Sequence, residues 1–456
     1  MALKVIILAA GQGKRMYSSL PKVLHPLAGK PMLQWVIEAA QSLEPEAIYV
    51  VYGHEGEQIR AFFQAASVQW IHQTAQLGTG HAVSQVLPYL NPEDKVLILC
   101  GDVPLISSQT LTLLTQALNQ KTLNLVIAKL DNPTGLGRII RNERADILGI
   151  VEEKDATELQ RTIKEIYAGI LATSAANLLS WLPNLSNANA QQEYYLTEIV
   201  DFAVKDDCAI QGVFAKTPEE IQGVNTRSQL IQLERYYQQQ QAERLLNTGI
   251  TVLDPTRFDL RGELIVGQDV TIDVNVIIEG KVVIGSHCYI GPNTLLKNVQ
   301  IADHVEVLAN CVLEDAVIAN HCIIGPFARL RPGSQLAEGA KIGNFVEIKQ
   351  AIIGSKSKVN HLSYIGDATL GQQVNIGAGT ITCNYDGANK HHTEIGDHAF
   401  IGSDTQLVAP VKIGEWATIG AGSTITKDVP PDQLSLSRVK QQIIPGWQRP
   451  VKKGKE

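Results

Sequence analysis

The chain has no excess of positive charge, no paired cysteines and no apolar run long enough to cross a membrane, and each absence removes a class of function. Across 456 residues, 39 Lys and Arg stand against 46 Asp and Glu, for a formal net charge of −7. Such a composition does not supply the broad basic face that binding a nucleic-acid backbone requires. Any anion site must therefore be local. The cysteines, Cys100, Cys208, Cys288, Cys311, Cys322 and Cys383, are widely spaced with no C-x-x-C pair. That pattern fits reduced thiols better than a disulfide frame or a zinc site. The apolar stretch from Val5 to Ala10 is short and runs straight into glycine and basic residues, unlike a secretory leader. No run reaches the length of a membrane span. The expectation is a soluble, cytoplasmic protein of about two to three domains.

What is present falls into two grammars. Up to about residue 228, short apolar runs (VIILAA, AIYVVYG, VLILCGD, LNLVIAK) alternate with amphipathic stretches or turns, the pattern of a parallel sheet covered by helices. Residues 229–249 contain a long segment without Pro, with Leu230, Leu233, Tyr237 and Leu245 near one stripe and a stop at Asn247-Thr248-Gly249. This reads as a linker helix between two domains. From residue 250 to 456 aliphatic residues recur at every sixth position. Ile272, Ile278, Ile284, Ile290 and Leu296 form one series, Ile318 through Ile348 a second, and Ile395 through Ile425 a third. A period of six is the mark of a β-helix built from hexapeptide repeats, one hexad to each side of a triangular coil. The period gives the coil but not its hand. It slips by one residue near 296–301, 313–318, 348–353 and 365–370, and breaks at TCNYDGANKHHTE (382–394), which must be a loop thrown out of the coil.

The first strand ends in LAAGQGKRM (Leu8–Met16). Neither standard phosphate loop is there: a dinucleotide fingerprint would need Gly where Met16 stands, and the Walker pattern is missing. Gly11 and Gly13 would still let the backbone approach a ligand, with Lys14 and Arg15 facing an anion. A strand-to-helix turn with solvated charges would use the same residues. Asp102 follows VLILCG, at the carboxyl end of a buried strand where open sheets place ligands; it suits a divalent cation or a simple G-D-V-P turn. Asn225 could cap a helix, but Thr226 and Gln229 already make a capping box, leaving Asn225 for another task.

Together, LAAGQGKRM, PKVLHPLAGKPM, QLGTGHA, GDVPL, PTGLGRI, GIVEEKDAT and GVNTR, followed by hexapeptide repeats, resemble the bifunctional N-acetylglucosamine-1-phosphate uridyltransferase/glucosamine-1-phosphate acetyltransferases over essentially the whole chain. The resemblance implies an α/β nucleotidyltransferase domain with a Rossmann-like mixed sheet (1–228) and a left-handed parallel β-helix (250–456). It implies that Leu8, Ala9 and Gly11 lie near the uridine of UTP, that Arg15 and Lys22 hold phosphates, and that Gln73, Gly78 and Thr79 read the uracil. Gly137, Glu152 and Tyr167 would hold the sugar, and Asp102 with Asn225 would hold Mg²⁺. Similar enzymes usually have Asn where this chain has Tyr167, and commonly a small hydroxyl residue and Tyr where it has Lys14 and Cys100.

For the second half, the resemblance implies that His361 is the general base of acetyl transfer, with Glu347 assisting. Imidazole suits the removal of an ammonium proton near neutral pH. Arg331 and Lys349 would grip the sugar phosphate, Tyr364 and Asn375 would position the amino sugar, and Asn384 and Tyr385 would line the site. Ala378, Ser403, Ala421 and Arg438 would contact acetyl-CoA. The family also implies a homotrimer and a role in UDP-N-acetylglucosamine and peptidoglycan precursor synthesis; charge and apolar runs imply no nucleic-acid partner and no membrane span. The basic tail RPVKKGKE could reach a neighbour's CoA or simply be solvated. A pyrophosphorylase using the coil only for assembly, or a nucleotide-sensing assembly subunit without activity, would share the fold. His361 with the NYDGANK loop speaks against the first, and Arg15, Lys22, Asp102 and Asn225 together speak against the second.

Overall fold

The computed structural model describes residues 2–11, 13–53, 56–64, 67–116 and 118–452. The last part of the basic tail, residues 453–456, lies outside them. The chain divides into two compact units, Met1–Tyr237 and Gln238–Glu456.

In the first unit, nine strands among the described residues form one mixed sheet: β1 (Leu3–Ala9), β2 (Ala47–Tyr52), β3 (Gln69–His72), β4 (Lys95–Cys100), β5 (Thr122–Lys129), β6 (Gly137–Arg141), β7 (Ile147–Val151), β8 (Glu165–Ser174) and β9 (Ala209–Phe214). Their order is β9-β5-β8-β4-β1-β2-β3, with β6 on β8 and β7 on β6. The central strands β4, β1, β2 and β3 run parallel, whereas β8 runs antiparallel to β4, β5 and β6. The central strands are apolar without alternation because both faces are covered: Val5, Ile7, Leu97 and Leu99 enter one core, Ile6, Val96 and Ile98 the other. That burial on two sides is what a parallel sheet clad in helices demands. The carboxyl ends of β1 and β4 consequently open side by side, with Leu8 opposite Cys100.

The helix Arg227–Asn247 straddles the division between the units. Leu230 and Leu233 pack with Met16, Leu27, Met32 and Val224 in the first unit, while Ala242 and Leu245 belong to the core of the second. Its apolar residues thus serve two cores.

The second unit is a coil of short parallel strands. Thr271 lies opposite Tyr289, Tyr289 opposite Glu306, Glu306 opposite Ile323 and Ile323 opposite Lys341, so each turn advances by 17 or 18 residues. Eighteen residues make three hexads; a turn of 17 has one side shortened by a residue, which is why the aliphatic period slips. Every residue of the aliphatic series from Ile272 to Ile425 is buried in one continuous core. Between Asn375 and its partner Phe400 the chain takes 25 residues, and the excess forms a loop between the strands Ile381–Cys383 and Thr393–Ile395. Asp386 closes that loop by accepting from the backbone N–H groups of Ala388 and Asn389 and pairing with His391 at 2.7 Å.

Candidate active site

The ends of β1 and β4 border a cavity of about 500 Å³. Leu8, Ala9, Gly11, Lys22, Gln73, Gly78, Thr79 and Asp102, eight residues expected to meet one ligand, all line it. A smaller space of about 150 Å³ shares Ala9, Gly11 and Lys22 and adds Lys14 and Gly53. Gly13 adopts φ +61°, and a Cβ there would sit 2.8 Å from the Cβ of Lys22, so glycine is required for the loop to pass the lysine. Gly78, at φ +112°, precedes the helix Thr79–Ser84, and a Cβ would collide with the Tyr194 carbonyl at 2.6 Å. Gln73 is buried; its amide donates to the Gly78 carbonyl at 3.2 Å and meets His81 Nδ1 at 2.9 Å. Gln76, which sequence reasoning passed over although it opens QLGTGHA, donates to the Ala10 carbonyl at 2.8 Å and ties the second glycine-rich segment to the first loop.

The Lys22 ammonium is clasped between Asp102 Oδ2 at 2.5 Å and Asn225 Oδ1 at 3.2 Å. Thr226 and Gln229 do cap the following helix, Gln229 donating to Thr226 Oγ1 at 3.2 Å and accepting from the Thr226 N–H at 3.1 Å. This leaves the Asn225 side chain to face the cation. A carboxylate and a carboxamide oxygen aimed at one positive charge form a donor set that also suits a hard divalent cation. Among the described residues no group of three or more His, Cys, Asp or Glu side chains is arranged to hold a metal ion. A cation here would complete its shell with water and ligand oxygens, as Mg²⁺ usually does. Arg15 is exposed on the turn Lys14–Met16 and does not line the cavity.

Gly137, Glu152 and Tyr167 also lie outside the lining but form their own group next to it. Gly137 is the cross-strand partner of Tyr167, and a Cβ on Gly137 would sit 3.7 Å from Glu152 Oε2. Burial pushes the Glu152 carboxyl above the usual range, partly offset by the Thr197 hydroxyl donating at 3.1 Å. Tyr167 is buried, and its hydroxyl has no hydrogen-bond partner. Burial, with smaller contributions from Cys100 and Glu152, raises that phenol well above its ordinary value. Cys100 links this group to the cavity: it lines the latter, donates to the Gly169 carbonyl at 3.2 Å, and is pushed up to about 12, chiefly by burial.

In the second unit, register brings the candidates into columns. Asn344 lies opposite His361. The pairings of Val359 with Ile376, Ile376 with Ile401 and Ile401 with Ile419 carry the same corner on through Ala378, Ser403 and Ala421. At ~4.8 Å per rung, His361 and Ala421 stand about 14 Å apart along one track. Arg438 donates to the Ala421 carbonyl at 2.9 Å at the far end. A second column stacks Arg331 on Lys349, next to a third in which Glu347 precedes Tyr364. Arg331 pairs with Glu347 at 2.9 Å and Lys349 with Asp367 at 3.3 Å. Asn384 donates to the Tyr364 hydroxyl at 3.3 Å and to Asp367, and Tyr385 is exposed on the loop. Asn375 lies between Lys358 and Phe400 in the ladder. Lys390, not singled out from sequence, lies beside Lys349, whose positive charge lowers it, while Lys349 itself pairs with Asp367. Converging cations of this kind are suited to an anion such as a phosphate.

Comparison with known proteins agrees with this division. Residues 5–176 match the family model of the MobA-like NTP transferase domain, residues 260–340 that of the GMPPB C-terminal domain, and residues 392–427 that of the bacterial transferase hexapeptide (six repeats). A protein of Legionella pneumophila (strain Lens) called bifunctional protein GlmU is 57% identical over 461 residues, covering 100% of both chains. Its counterpart in the Paris strain is 58% identical over 461 residues, with the same coverage. The bifunctional protein GlmU of Marinobacter nauticus is 55% identical over 450 residues, covering 99% of each.

Proposed function

The chain belongs to the family of the bifunctional protein GlmU, and on that premise we infer that it makes UDP-N-acetylglucosamine by two transfers, one in each unit. The second unit acetylates glucosamine-1-phosphate from acetyl-CoA; the first joins the product to the uridylyl group of UTP and releases pyrophosphate. The observation that carries this reading is that each unit gathers its own set of candidate residues, around the cavity at β1 and β4 in one and along adjoining columns of the coil in the other.

In acetyl transfer, the phosphate of the amino sugar meets Arg331, Lys349 and Lys390, and Tyr364, Asn375, Asn384 and Tyr385 hold the ring. Acetyl-CoA lies along Ala378, Ser403 and Ala421 with Arg438 at the distal end. His361 takes the ammonium proton, with Glu347 assisting; the free amine forms a bond to the thioester carbonyl carbon, and the carbon–sulfur bond breaks, releasing CoA with a proton. The exposed apolar corner made by Phe327, Phe345 and Leu362 supports burial against a second copy, as in the homotrimer that the family implies.

In uridylyl transfer, a phosphate oxygen of N-acetylglucosamine-1-phosphate attacks the α-phosphorus of UTP in line as the bond to the bridging oxygen breaks. Leu8, Ala9, Gly11, Gln73, Gly78 and Thr79 place the uridine, and Gly137, Glu152 and Tyr167 the sugar. Lys22, with Arg15 brought in from its exposed turn, binds the departing pyrophosphate. Mg²⁺ held by Asp102 and Asn225 would neutralise charge between the two anionic reactants. No helix among the described residues is long and apolar enough to cross a membrane, in keeping with our assignment to the cytoplasm.

One purified protein tests the reading, assayed separately for CoA release with glucosamine-1-phosphate and for pyrophosphate release with UTP and N-acetylglucosamine-1-phosphate. Both activities are expected; release of pyrophosphate alone would leave the coil as an assembly module.

A further inference from the structure

We propose that Asn344 is a positioning residue for acetyl transfer: its carboxamide oxygen fixes the proton of His361 on Nδ1 and thereby leaves the Nε2 lone pair as the base. The proposal rests on the reading of His361 as the proton acceptor and adds to it a statement about which nitrogen accepts.

His361 Nδ1 lies 2.9 Å from Asn344 Oδ1. A carboxamide oxygen can only accept, so the ring nitrogen facing it must donate. A neutral imidazole carries a single N–H, and with that hydrogen on Nδ1 the other nitrogen is an unprotonated acceptor. The contact is set by the coil itself. Asn344 and His361 are register partners on adjacent rungs, and the backbone N–H of Leu362 donates to the Asn344 carbonyl at 3.1 Å. The Ser363 hydroxyl donates to the His361 carbonyl at 2.7 Å and holds the base's own backbone. Among the described residues, Asn344 Oδ1 is the side-chain partner found for the His361 ring. Ala378, on the following rung, has no polar side-chain atom, and the Glu347 and Asp367 carboxylates pair with Arg331 and Lys349. Asn344 therefore does for His361 what the orienting third member does in a nucleophile–base–orienter set, without bringing a charge.

The test measures acetyl transfer across pH for the full chain and for Asn344→Ala, Asn344→Asp and His361→Ala, with uridylyl transfer as the control for intact protein. Asn344→Ala should lower kcat for acetyl transfer about ten- to a hundredfold with little change in KM for acetyl-CoA, taking the range found for hydrogen-bond partners of metal-bound histidines as the guide. Asn344→Asp keeps the acceptor but adds a negative charge that stabilises imidazolium. The acidic limb of its kcat/KM profile should therefore move to higher pH while activity recovers on the alkaline side. A residue that only supported the coil would not move that limb, so Asn344→Asp decides the matter even if Asn344→Ala folds poorly. Wild-type kcat in Asn344→Ala, or an unmoved limb in Asn344→Asp, overturns the proposal. If these occur while His361→Ala is inactive in acetyl transfer, the base reading stands without it; a fully active His361→Ala removes both.

Discussion

The two units build their sites by opposite means. In the first, the decisive contacts join segments far apart in the chain: Lys22 reaches Asp102 over 80 residues and Asn225 over 203. In the second, contacts join adjacent rungs of the coil, within one residue of its period: Arg331 to Glu347 over 16 residues, His361 to Asn344 over 17, Lys349 to Asp367 over 18. A site of the first kind is held by loops that a sheet delivers to one edge, and removing a contact uncouples segments. A site of the second kind is a position on a ruler, where each residue's neighbours follow from counting rungs and a substitution disturbs one rung.

If this contrast is real, single substitutions should silence one chemistry without touching the other. The largest effect is expected from His361→Ala, which should depress acetyl transfer by about two to four decades, the range for a positioned general base. Pyrophosphate release with supplied N-acetylglucosamine-1-phosphate should be unchanged. Somewhat smaller is Asp102→Ala, which removes the carboxylate on which the Lys22 cation now rests. Uridylyl transfer should fall by about two decades or more, with CoA release intact. Parallel loss of both activities in either variant would mean that the units do not act separately.

The same contrast governs what could be read in advance. The coil was legible because burial imposes the aliphatic residue at every sixth position, and even the slips mark turns of 17. The sheet was legible as apolar runs but not in direction. A strand buried on both faces looks alike whether it runs up or down, so the antiparallel β8 was invisible, and with it the pairing of Tyr167 against Gly137. Motif resemblance found the residues around the cavity, whereas Lys390, though it closes the NYDGANK motif, has nothing in its local pattern that marks it as a phosphate ligand. Asn344 did carry one: it stands one coil period before His361, and counting rungs back from the candidate base would have reached it.

A smaller effect should expose how the first unit's sugar side tolerates Tyr167. Its ring is buried and its hydroxyl has no partner, so Tyr167→Phe should leave stability unchanged or raise it. Tyr167→Asn instead empties space beside Cys100 and should cost about 2–4 kcal/mol in denaturant unfolding. For the sugar phosphate, a raised KM in Tyr167→Phe with KM for UTP spared would mean that substrate supplies the missing hydrogen bond. An unchanged KM would leave the phenol as filler for the room that the small Cys100 side chain leaves.

The smallest effects expected are two of opposite sign, one in each unit. Glu152 is raised by burial above its ordinary 4.5, so its carboxyl favours the folded state most when protonated. That contribution is complete below the unfolded value and is lost as pH rises through the folded one, where the desolvated carboxyl ionises. Glu152→Gln keeps the shape and the acceptor for Thr197 without the charge. It should unfold at higher denaturant than the wild type at pH 7, with the advantage shrinking as pH falls toward about 4.5 and absent below it. Asp386 is the reverse: the backbone N–H of Asn389, then His391 and the N–H of Ala388, hold it well below its ordinary 3.8. Its contribution exists above the unfolded value and disappears as acid protonates it in the fold. Asp386→Asn should therefore weaken the protein at neutral pH, and the deficit should close toward acid. Denaturation midpoints followed against pH for both variants check the pair. Differences that stay constant with pH would mean that neither carboxyl's titration is coupled to folding, and that the desolvated sugar side and the solvated loop do not differ in the way the comparison requires.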